Sequence, residues 1–292
     1  MDTAELLRKV RKLEIKTKGL TKHVFSGEYH SAFKGRGMAF SEVRDYQYGD
    51  DVRNIDWNVT ARTGGPHVKI FEEERELTVM LLIDVSASSY FGTVSRFKSE
   101  VMVELAAVIA FSAITNNDKV GAIIFSGHIE KFLPPKKGKQ NILRIIRELI
   151  NFTPSQQKTN ISEALIYLNN IEKKRTITFV LSDFMTDEYD QALNIAAKKH
   201  DIIGVKIFDK REQSLPDVGL LYVVDEEAGI KKLIDSSDPE VRARYARYFR
   251  ESEEKFTRTF ALAKSDTISI STEDDYIKAL QLFFKRRAKK LW

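Results

Sequence analysis

The sequence predicts an α/β protein built around a doubly wound, mainly parallel sheet. Two near-continuous apolar runs, Leu77 to Ile83 and Thr176 to Leu181, are typical of strands that helices cover on both faces. Segments with apolar residues at helical spacing alternate with such strands along the chain. This alternation favours parallel strands joined by crossover helices. Such sheets bind ligands beyond the carboxyl ends of their strands, where the strand order reverses.

The individual elements follow from this pattern in chain order. After the first strand, Phe97, Val101 and Leu105 form one apolar stripe, which predicts a helix from Arg96 to Ile114. The further predicted strands are Val120 to Phe125, a short edge strand Ile129 to Leu133, Ile202 to Ile207, a hairpin of Leu220 to Val224 with Ile230 to Ile234, and Thr267 to Ser271. The further predicted helices are Ile142 to Ile150, Ile161 to Ile171, Tyr189 to Lys199, Pro239 to Lys264 and Asp274 to Arg287.

The first quarter of the chain has a different character. Apolar residues at helical spacing predict an amphipathic helix from Thr3 to Ile15. The glycine-punctuated, aromatic-rich segment from Ser26 to Gly65 has few long apolar runs and predicts short strands and loops. We therefore expect residues 1–76 to form an extension packed on a main domain of residues 77–292.

The composition narrows the possible chemistry and location. The 292 residues include no cysteine, which excludes disulfides, thiolate zinc sites and a cysteine nucleophile. The most apolar helical stretch, Val101 to Ile114, is too short to span a bilayer and contains Glu104. We expect a cytoplasmic protein without an integral membrane span, peripheral to a membrane at most.

The positive charge of the chain is concentrated at its two ends. Lys and Arg number 47 against 42 Asp and Glu, a net charge of +5. The surplus lies in the segments Arg8 to Lys22 and Lys285 to Lys290, where solvated helix faces are the simplest interpretation. Binding to nucleic acid or to an anionic surface is the alternative, and we consider nucleic acid the weaker part of it.

Oxygen-bearing side chains follow two of the predicted strands. Asp84, Ser86 and Ser88 come directly after the strand from Leu77 to Ile83, and Asp183 follows the strand that ends at Leu181. Thr159 precedes a predicted helix, in a loop that this topology places at the same edge of the sheet. Two carboxylates and several hydroxyls suit a small hard cation such as Mg²⁺, with a position left for water or a partner's carboxylate.

The ordered set Asp84, Ser86, Ser88, Thr159 and Asp183 resembles the metal-ion-dependent adhesion site of the von Willebrand factor A-like fold. The resemblance covers the chain from about Leu77 onwards. It implies a Rossmann-like sheet and a bound Mg²⁺ or Mn²⁺ whose shell is completed by an acidic side chain of a protein partner. Gln156-Gln157-Lys158 stands before Thr159 where paired glycines are frequent in relatives, so Thr153 and Ser155 are alternative ligands.

The segment ahead of the sheet carries a second, longer resemblance. The run from Gly35 to Tyr46, the run from Tyr48 to Trp57, Thr60-Ala61-Arg62 and the acidic stretch Glu72 to Glu76 are similar to the "domain of unknown function fifty-eight" family. Many members accompany MoxR-type AAA+ ATPases. The resemblance therefore implies that the partner is such an ATPase or that ATPase's client.

The run from Gly49 to Trp57 carries a charged cluster, and two interpretations of it stay open. An Arg fork pairs well with carboxylates, so a partly buried ion-pair network is the first interpretation. A second partner-binding surface is the other. The residues concerned are Asp50, Asp51, Arg53, Asp56 and Trp57.

These features and the family resemblance favour a non-enzymatic function. The protein would be a metal-dependent protein-binding module in chaperone-like or complex-maturation work. The chain has no Gly-x-x-x-x-Gly-Lys-Ser/Thr motif, so we expect no ATP hydrolysis by the protein itself. A metal-dependent phosphoester hydrolase is the alternative from another class, since a dication can activate water. The sequence offers no accompanying nucleophile and base for it.

Overall fold

The computed structural model describes residues 39–72, 76–93, 96–153, 158–186, 188–225 and 230–290. The chain divides into two compact units, one of Phe33–Glu76 and the other of Met1–Ala32 with Leu77–Trp292. The helix predicted from Thr3 to Ile15 lies outside the described residues. The packing of the extension on the main domain stays a prediction.

The smaller unit contains the short strands that its sequence predicts, and one short helix. Strand β1 (Ala39–Asp45) pairs antiparallel with β2 (His67–Glu72). Helix α1 (Trp57–Thr63) lies between them in the chain and was not predicted. Its start is fixed by Asp56, whose carboxylate accepts hydrogen bonds from the first free backbone N–H groups of the helix.

The larger unit is built on a six-stranded sheet of order β10-β7-β6-β3-β4-β5. All neighbours are parallel except β4 and β5. The strands are β3 (Thr78–Asp84), β4 (Lys119–Phe125), β5 (Ile129–Lys136), β6 (Ile177–Ser182), β7 (Asp201–Phe208) and β10 (Asp266–Ser271). The predicted doubly wound, mainly parallel sheet is therefore confirmed. The strand order reverses between β3 and β6, the position at which such sheets bind ligands.

The helices of this unit agree with the predicted ones to within a few residues at their ends, except for one short helix, α6 (Lys210–Gln213), that the sequence does not predict. They are α2 (Lys98–Thr115), α3 (Lys139–Ile150), α4 (Ile161–Ile171), α5 (Asp190–Ala197), the short α6 (Lys210–Gln213), α7 (Pro239–Leu262) and α8 (Tyr276–Lys290). The predicted hairpin is present as β8 (Leu220–Asp225) and β9 (Ile230–Asp235), which form a separate antiparallel pair. Among the described residues, no helix combines the length and the apolar character that crossing a bilayer requires.

The core explains why the central strands read as continuous apolar runs. Met80 and Leu82 of β3 lie in one buried cluster with residues of α4 and α5 and with Phe256 and Phe260 of α7. Since side chains alternate along a strand, the equally buried Leu81 belongs to the opposite face. Both faces of β3 are thus removed from water, which leaves only its end for polar side chains.

The edge strand β5 continues further than its sequence suggests. Its range includes Pro134 and Pro135, at which the predicted strand had been ended. The strand pairs only with β4, on one side. Prolines are tolerated there because an edge strand has N–H positions that face no neighbouring strand.

Candidate metal centre

Asp84 is the last residue of β3 and is buried at the carboxyl edge of the sheet. Its Oδ1 accepts a hydrogen bond from the backbone N–H of Ser86 at 2.9 Å, and its Oδ2 accepts one from the hydroxyl of Ser182 at 2.6 Å. Ser182 ends the neighbouring strand β6. The carboxylate is therefore fixed from both of the strands between which the order reverses.

The two serines after Asp84 lie on a single tight turn. Residues Ala87–Tyr90 form a 3-10 turn that begins at Ser86. The hydroxyl oxygens of Ser86 and Ser88 are 3.1 Å apart. The Ser89 hydroxyl donates to the carbonyl of Ser86 at 2.7 Å and closes the turn. The Asp-x-Ser-x-Ser spacing thus brings two hydroxyls together beside a carboxylate, as the sequence predicts.

Asp183 follows β6 and is also buried. Its Oδ1 accepts a hydrogen bond from the backbone N–H of Met185 at 3.2 Å. Burial opposes ionisation of Asp183, but the charge and hydrogen bond of Lys98, and then the nearby Ser88 side chain, lower its pKa. Asp84, Ser86, Ser88 and Asp183 therefore form one contiguous group at the ends of β3 and β6.

Thr159 lies near the carboxyl end of β4, the strand on the other side of β3 from β6. The next residue, Asn160, caps α4, and its backbone N–H donates to the carbonyl of Ser126 just beyond β4 at 2.8 Å. Thr159 is half-buried. Of its two predicted alternatives, Thr153 is exposed and Ser155 lies outside the described residues. Which hydroxyl joins the group stays a prediction.

The two carboxylates have opposite electrostatic environments. Burial, together with the nearby charge of Asp183, raises the pKa of Asp84 to about 7. Burial also opposes ionisation of Asp183, but the ammonium of Lys98 outweighs it and lowers the pKa of Asp183 below its usual value. A second positive charge at this edge would favour the ionised form of Asp84 as well.

Lys98 is a member of this group that the sequence did not reveal. It is the first residue of α2, it is completely buried, and its Nζ lies 2.8 Å from Oδ2 of Asp183 and 2.7 Å from Oε1 of Glu212. These carboxylates raise the pKa of Lys98 although burial alone would lower it. A lysine at the start of a helix is usually solvated, so only the fold distinguishes Lys98 from the other cations of the chain.

The donor set fits a small dication. Carboxylate and hydroxyl oxygens are the ligands that Mg²⁺ prefers, and the mutual repulsion of Asp84 and Asp183 is what a cation would relieve. No group of three or more His, Cys, Asp or Glu side chains is placed to hold a metal within the ranges that the structure describes. A site here therefore depends on the hydroxyls as well as the two carboxylates.

The charged cluster of the smaller unit forms bonds within its own segment. Asp50 accepts two hydrogen bonds from the guanidinium of Arg44, at 2.7 and 2.9 Å, and this pairing lowers its pKa. Asp51 caps the 3-10 turn Val52–Asn54. Asp50 therefore forms an ion pair within its own segment, whereas Asp51 caps a turn. The predicted ion-pair network stays a prediction. Trp57 is 69% exposed, so a partner surface at this residue stays a prediction.

The fold and the site together define a class: a doubly wound α/β domain with paired carboxylates and hydroxyls where its strand order reverses. The sequence profile of the family described as "Protein of unknown function DUF58" matches residues 42–255. The chain belongs to this family. It is 30% identical over 292 residues to the uncharacterized proteins Rv1480 of Mycobacterium tuberculosis H37Rv and Mb1516 of Mycobacterium bovis, with 99% of this chain and 92% of each relative covered. These names state no enzymatic activity.

Two solved structures are similar to part of this chain at low sequence identity. The conserved hypothetical protein BatB from Bacteroides thetaiotaomicron superposes with a TM-score of 0.48 at 18% identity, over 73% of this chain and 99% of that one. The SpRpn10 VWA domain superposes with a TM-score of 0.40 at 10% identity, over 71% of this chain and 94% of that one.

Proposed function

We propose that this protein is a metal-dependent protein-binding module. Asp84, Ser86, Ser88 and Asp183 would hold Mg²⁺ or Mn²⁺, with Thr159 as the further hydroxyl. The bound ion would supply an electrophilic position for an acidic side chain of a partner protein. The convergence of Asp84 and Asp183 at the ends of β3 and β6, with the two serine hydroxyls 3.1 Å apart, is the observation that carries this proposal.

The chain's own groups prepare this edge for binding. Ser182 and the backbone N–H of Ser86 hold the Asp84 carboxylate in one orientation, so little ordering is left to be done when a ligand arrives. Ser88 is only half-buried, whereas Asp84 and Ser86 are buried, so the group opens towards Ser88. A partner would approach from that side.

Exposed aromatic residues next to the site support a protein as the partner. Tyr90, Phe91 and Phe97 are 47%, 41% and 50% exposed, and they flank the turn that carries Ser88 and the start of α2. Aromatic side chains are enriched in protein interfaces, where they act as anchors around a central contact. An acidic side chain with an apolar neighbour would match a cation beside an aromatic rim.

A MoxR-type AAA+ ATPase, or a protein on which it acts, is the partner class that we propose. This part of the proposal rests on the family to which the chain belongs. The ATPase would supply the work of hydrolysis, and the present chain would supply recognition in chaperone-like or complex-maturation work.

Affinity capture from a native lysate tests this proposal. Wild type and Asp84→Asn are compared as bait, each with Mg²⁺ and with a chelator. A protein retained only by wild type in Mg²⁺ would support the module and identify its partner by mass spectrometry. Equal capture in all four conditions would contradict a metal-dependent role.

A further inference from the structure

The fully buried Lys98 forms an ion pair with Asp183, one of the two carboxylates that the proposed metal site requires. The Lys98 ammonium contacts Asp183 at 2.8 Å and Glu212 at 2.7 Å, with no exposed surface. A buried ammonium needs close anionic partners to offset its loss of hydration. Lys98 therefore neutralises part of the negative charge of these carboxylates.

The Glu212 carboxylate is positioned so that it can pair with the Lys98 ammonium without help from Asp183. Its Oε1 accepts from Lys98, and its Oε2 accepts from the backbone N–H of Asp209 at 2.8 Å, in a capping box that begins α6. Asp209 is fixed in turn by Thr93, whose hydroxyl and backbone N–H both donate to it. Glu212 thus belongs to a rigid helix start and does not depend on Asp183 for its position.

The charges balance differently with and without a dication. When all three carboxyl groups are ionised, Asp84, Asp183 and Glu212 bring three negative charges and Lys98 one positive charge. If Lys98 is assigned to Glu212, Asp84 and Asp183 together offer the two charges that match a dication. If Glu212 is removed, the ammonium is left to Asp183 and the attraction for a dication falls.

We propose that Lys98 is a built-in competitor for the metal ion, and that Glu212 is the residue that receives it when the ion binds. Lys98 stabilises Asp183 in the metal-free state and lowers the affinity of the site. Glu212 restores part of that affinity by drawing the ammonium away. This inference rests on the proposed metal site and adds the two residues that set its strength.

Titration calorimetry with MgCl₂ and MnCl₂ on the full chain tests the inference through two opposite effects. Lys98→Met removes the competing charge and should tighten binding about tenfold or more, whereas Glu212→Gln should weaken it by a similar factor. Lys210→Met is the matched control, since Lys210 lies on the same short helix, pairs with Glu273 and is exposed. It should bind like wild type.

Thermal unfolding in chelator accompanies the titration. Lys98→Met leaves the buried Asp183 and the partly buried Glu212 without this cation, so its metal-free form should unfold at a lower temperature and recover with Mg²⁺. Should that variant fail to fold, Glu212→Gln, which retains a side-chain oxygen for the Asp209 N–H, carries the test alone.

The outcomes separate this inference from the proposed function. If wild type binds metal and Lys98→Met binds no more tightly, or Glu212→Gln no more weakly, Lys98 is not a competitor and the metal site stands. If wild type shows no binding but Lys98→Met binds, the competitor role holds and the metal-dependent function of the native chain does not. If no variant binds, both proposals are overturned.

Discussion

Asp84 and Asp183 are two buried carboxylates whose charges repel each other, and among the described residues only Asp183 has a buried cation beside it. This arrangement costs stability in the absence of metal. Asp84→Asn removes one charge and keeps the size of the side chain and its bond from the Ser86 N–H. We expect the variant to be more stable than wild type in chelator at pH 8, by about 1–2 kcal/mol.

Chemical denaturation of both proteins in chelator measures this difference. Asp209→Asn is a suitable comparison, because Asp209 is also buried but accepts hydrogen bonds from Thr93 and Thr272 and from a backbone N–H. It should lose stability. A loss for Asp84→Asn of the same size would mean that Asp84 is a structural residue.

His200 gives the protein a second pH-sensitive residue, at the opposite edge of the sheet. It is buried, its Nδ1 lies 2.9 Å from the Thr176 hydroxyl, and its Nε2 has no hydrogen-bond partner among the described residues. Burial, with the nearby charges of Lys199 and Arg175, lowers its pKa to about 4. The folded protein therefore holds a neutral imidazole at pH values where the unfolded chain is protonated.

The direction of the resulting pH dependence follows from this difference. Between about pH 6.5 and pH 4 the unfolded state binds more protons at His200, so this residue lowers the stability as the pH falls. Its contribution is complete above pH 6.5, and about 3 kcal/mol is lost by pH 4. His200→Asn should remove this slope, measured as the difference between the two denaturation curves across the range. Parallel curves would show that His200 has the same pKa in the folded and unfolded states, which contradicts this prediction.

The residues of the candidate site differ in how far a sequence can reveal them. Asp84, Ser86, Ser88 and Asp183 could be proposed from the sequence because Asp84 and Asp183 come at the ends of runs that are typical of buried strands. Lys98 could not, since its burial depends on Asp183 and Glu212, which lie 85 and 114 residues further along the chain. Ser182 was equally hidden, because its bond to Asp84 requires β3 and β6 to be neighbours.

Among the elements, α7 and β7 meet where the strand has no side chain. A Cβ placed on Gly204 would lie 2.6 Å from Cζ of Phe260 and 2.9 Å from Cε2 of Phe256. Both rings belong to the main buried cluster. The close approach of helix and strand therefore requires glycine at this position.

Gly204→Ala should destabilise the protein by about 2 kcal/mol, because the added methyl group forces the Phe260 ring from its place. Denaturant unfolding measures the loss. The double variant Gly204→Ala with Phe260→Leu should cost less than the sum of the two single changes, since the smaller side chain makes room. Additive losses would show that the two residues do not share this contact.

The turn after β3 and the start of α2 present the aromatic rim to solvent, and this predicts a separation of two effects. Phe97→Ala should weaken partner capture and leave Mg²⁺ affinity unchanged, because the Phe97 side chain is 50% exposed and Phe97 bonds to Glu100 through its backbone N–H and carbonyl. Leu262→Ala, also exposed but at the end of α7, is the control. If Phe97→Ala and Leu262→Ala capture the partner equally well, the aromatic rim is not part of the interface.

Helices and strands were predictable from the sequence where they are completely buried. They were less predictable where a local capping residue fixes the start of a short helix. Strands β3 and β6 read as apolar runs because both faces are covered. Helix α1 escaped prediction because it is short and carries no apolar stripe, and only the capping signal of Asp56 marks its start. The edge strand β5 was cut short at Pro134, since the sequence alone does not show which N–H groups lack a neighbour.

At the scale of the whole molecule, the two sequence motifs that suggest a function lie in different compact units. The larger unit carries the sheet and the candidate metal site. The smaller unit carries the motif from Gly49 to Trp57, whose carboxylates form turns and caps. The family match from residue 42 to residue 255 includes both, so both belong to the account of function.

The measurement that tests the central claim most directly is calorimetric titration of Mg²⁺ into the wild-type chain and into Asp84→Asn at neutral pH. The account predicts one dication bound per wild-type chain, Mn²⁺ in its place when supplied, and no binding by the variant, which remains folded. Absence of binding by the wild type, or equal binding by the variant, would contradict a metal-dependent site at the ends of β3 and β6.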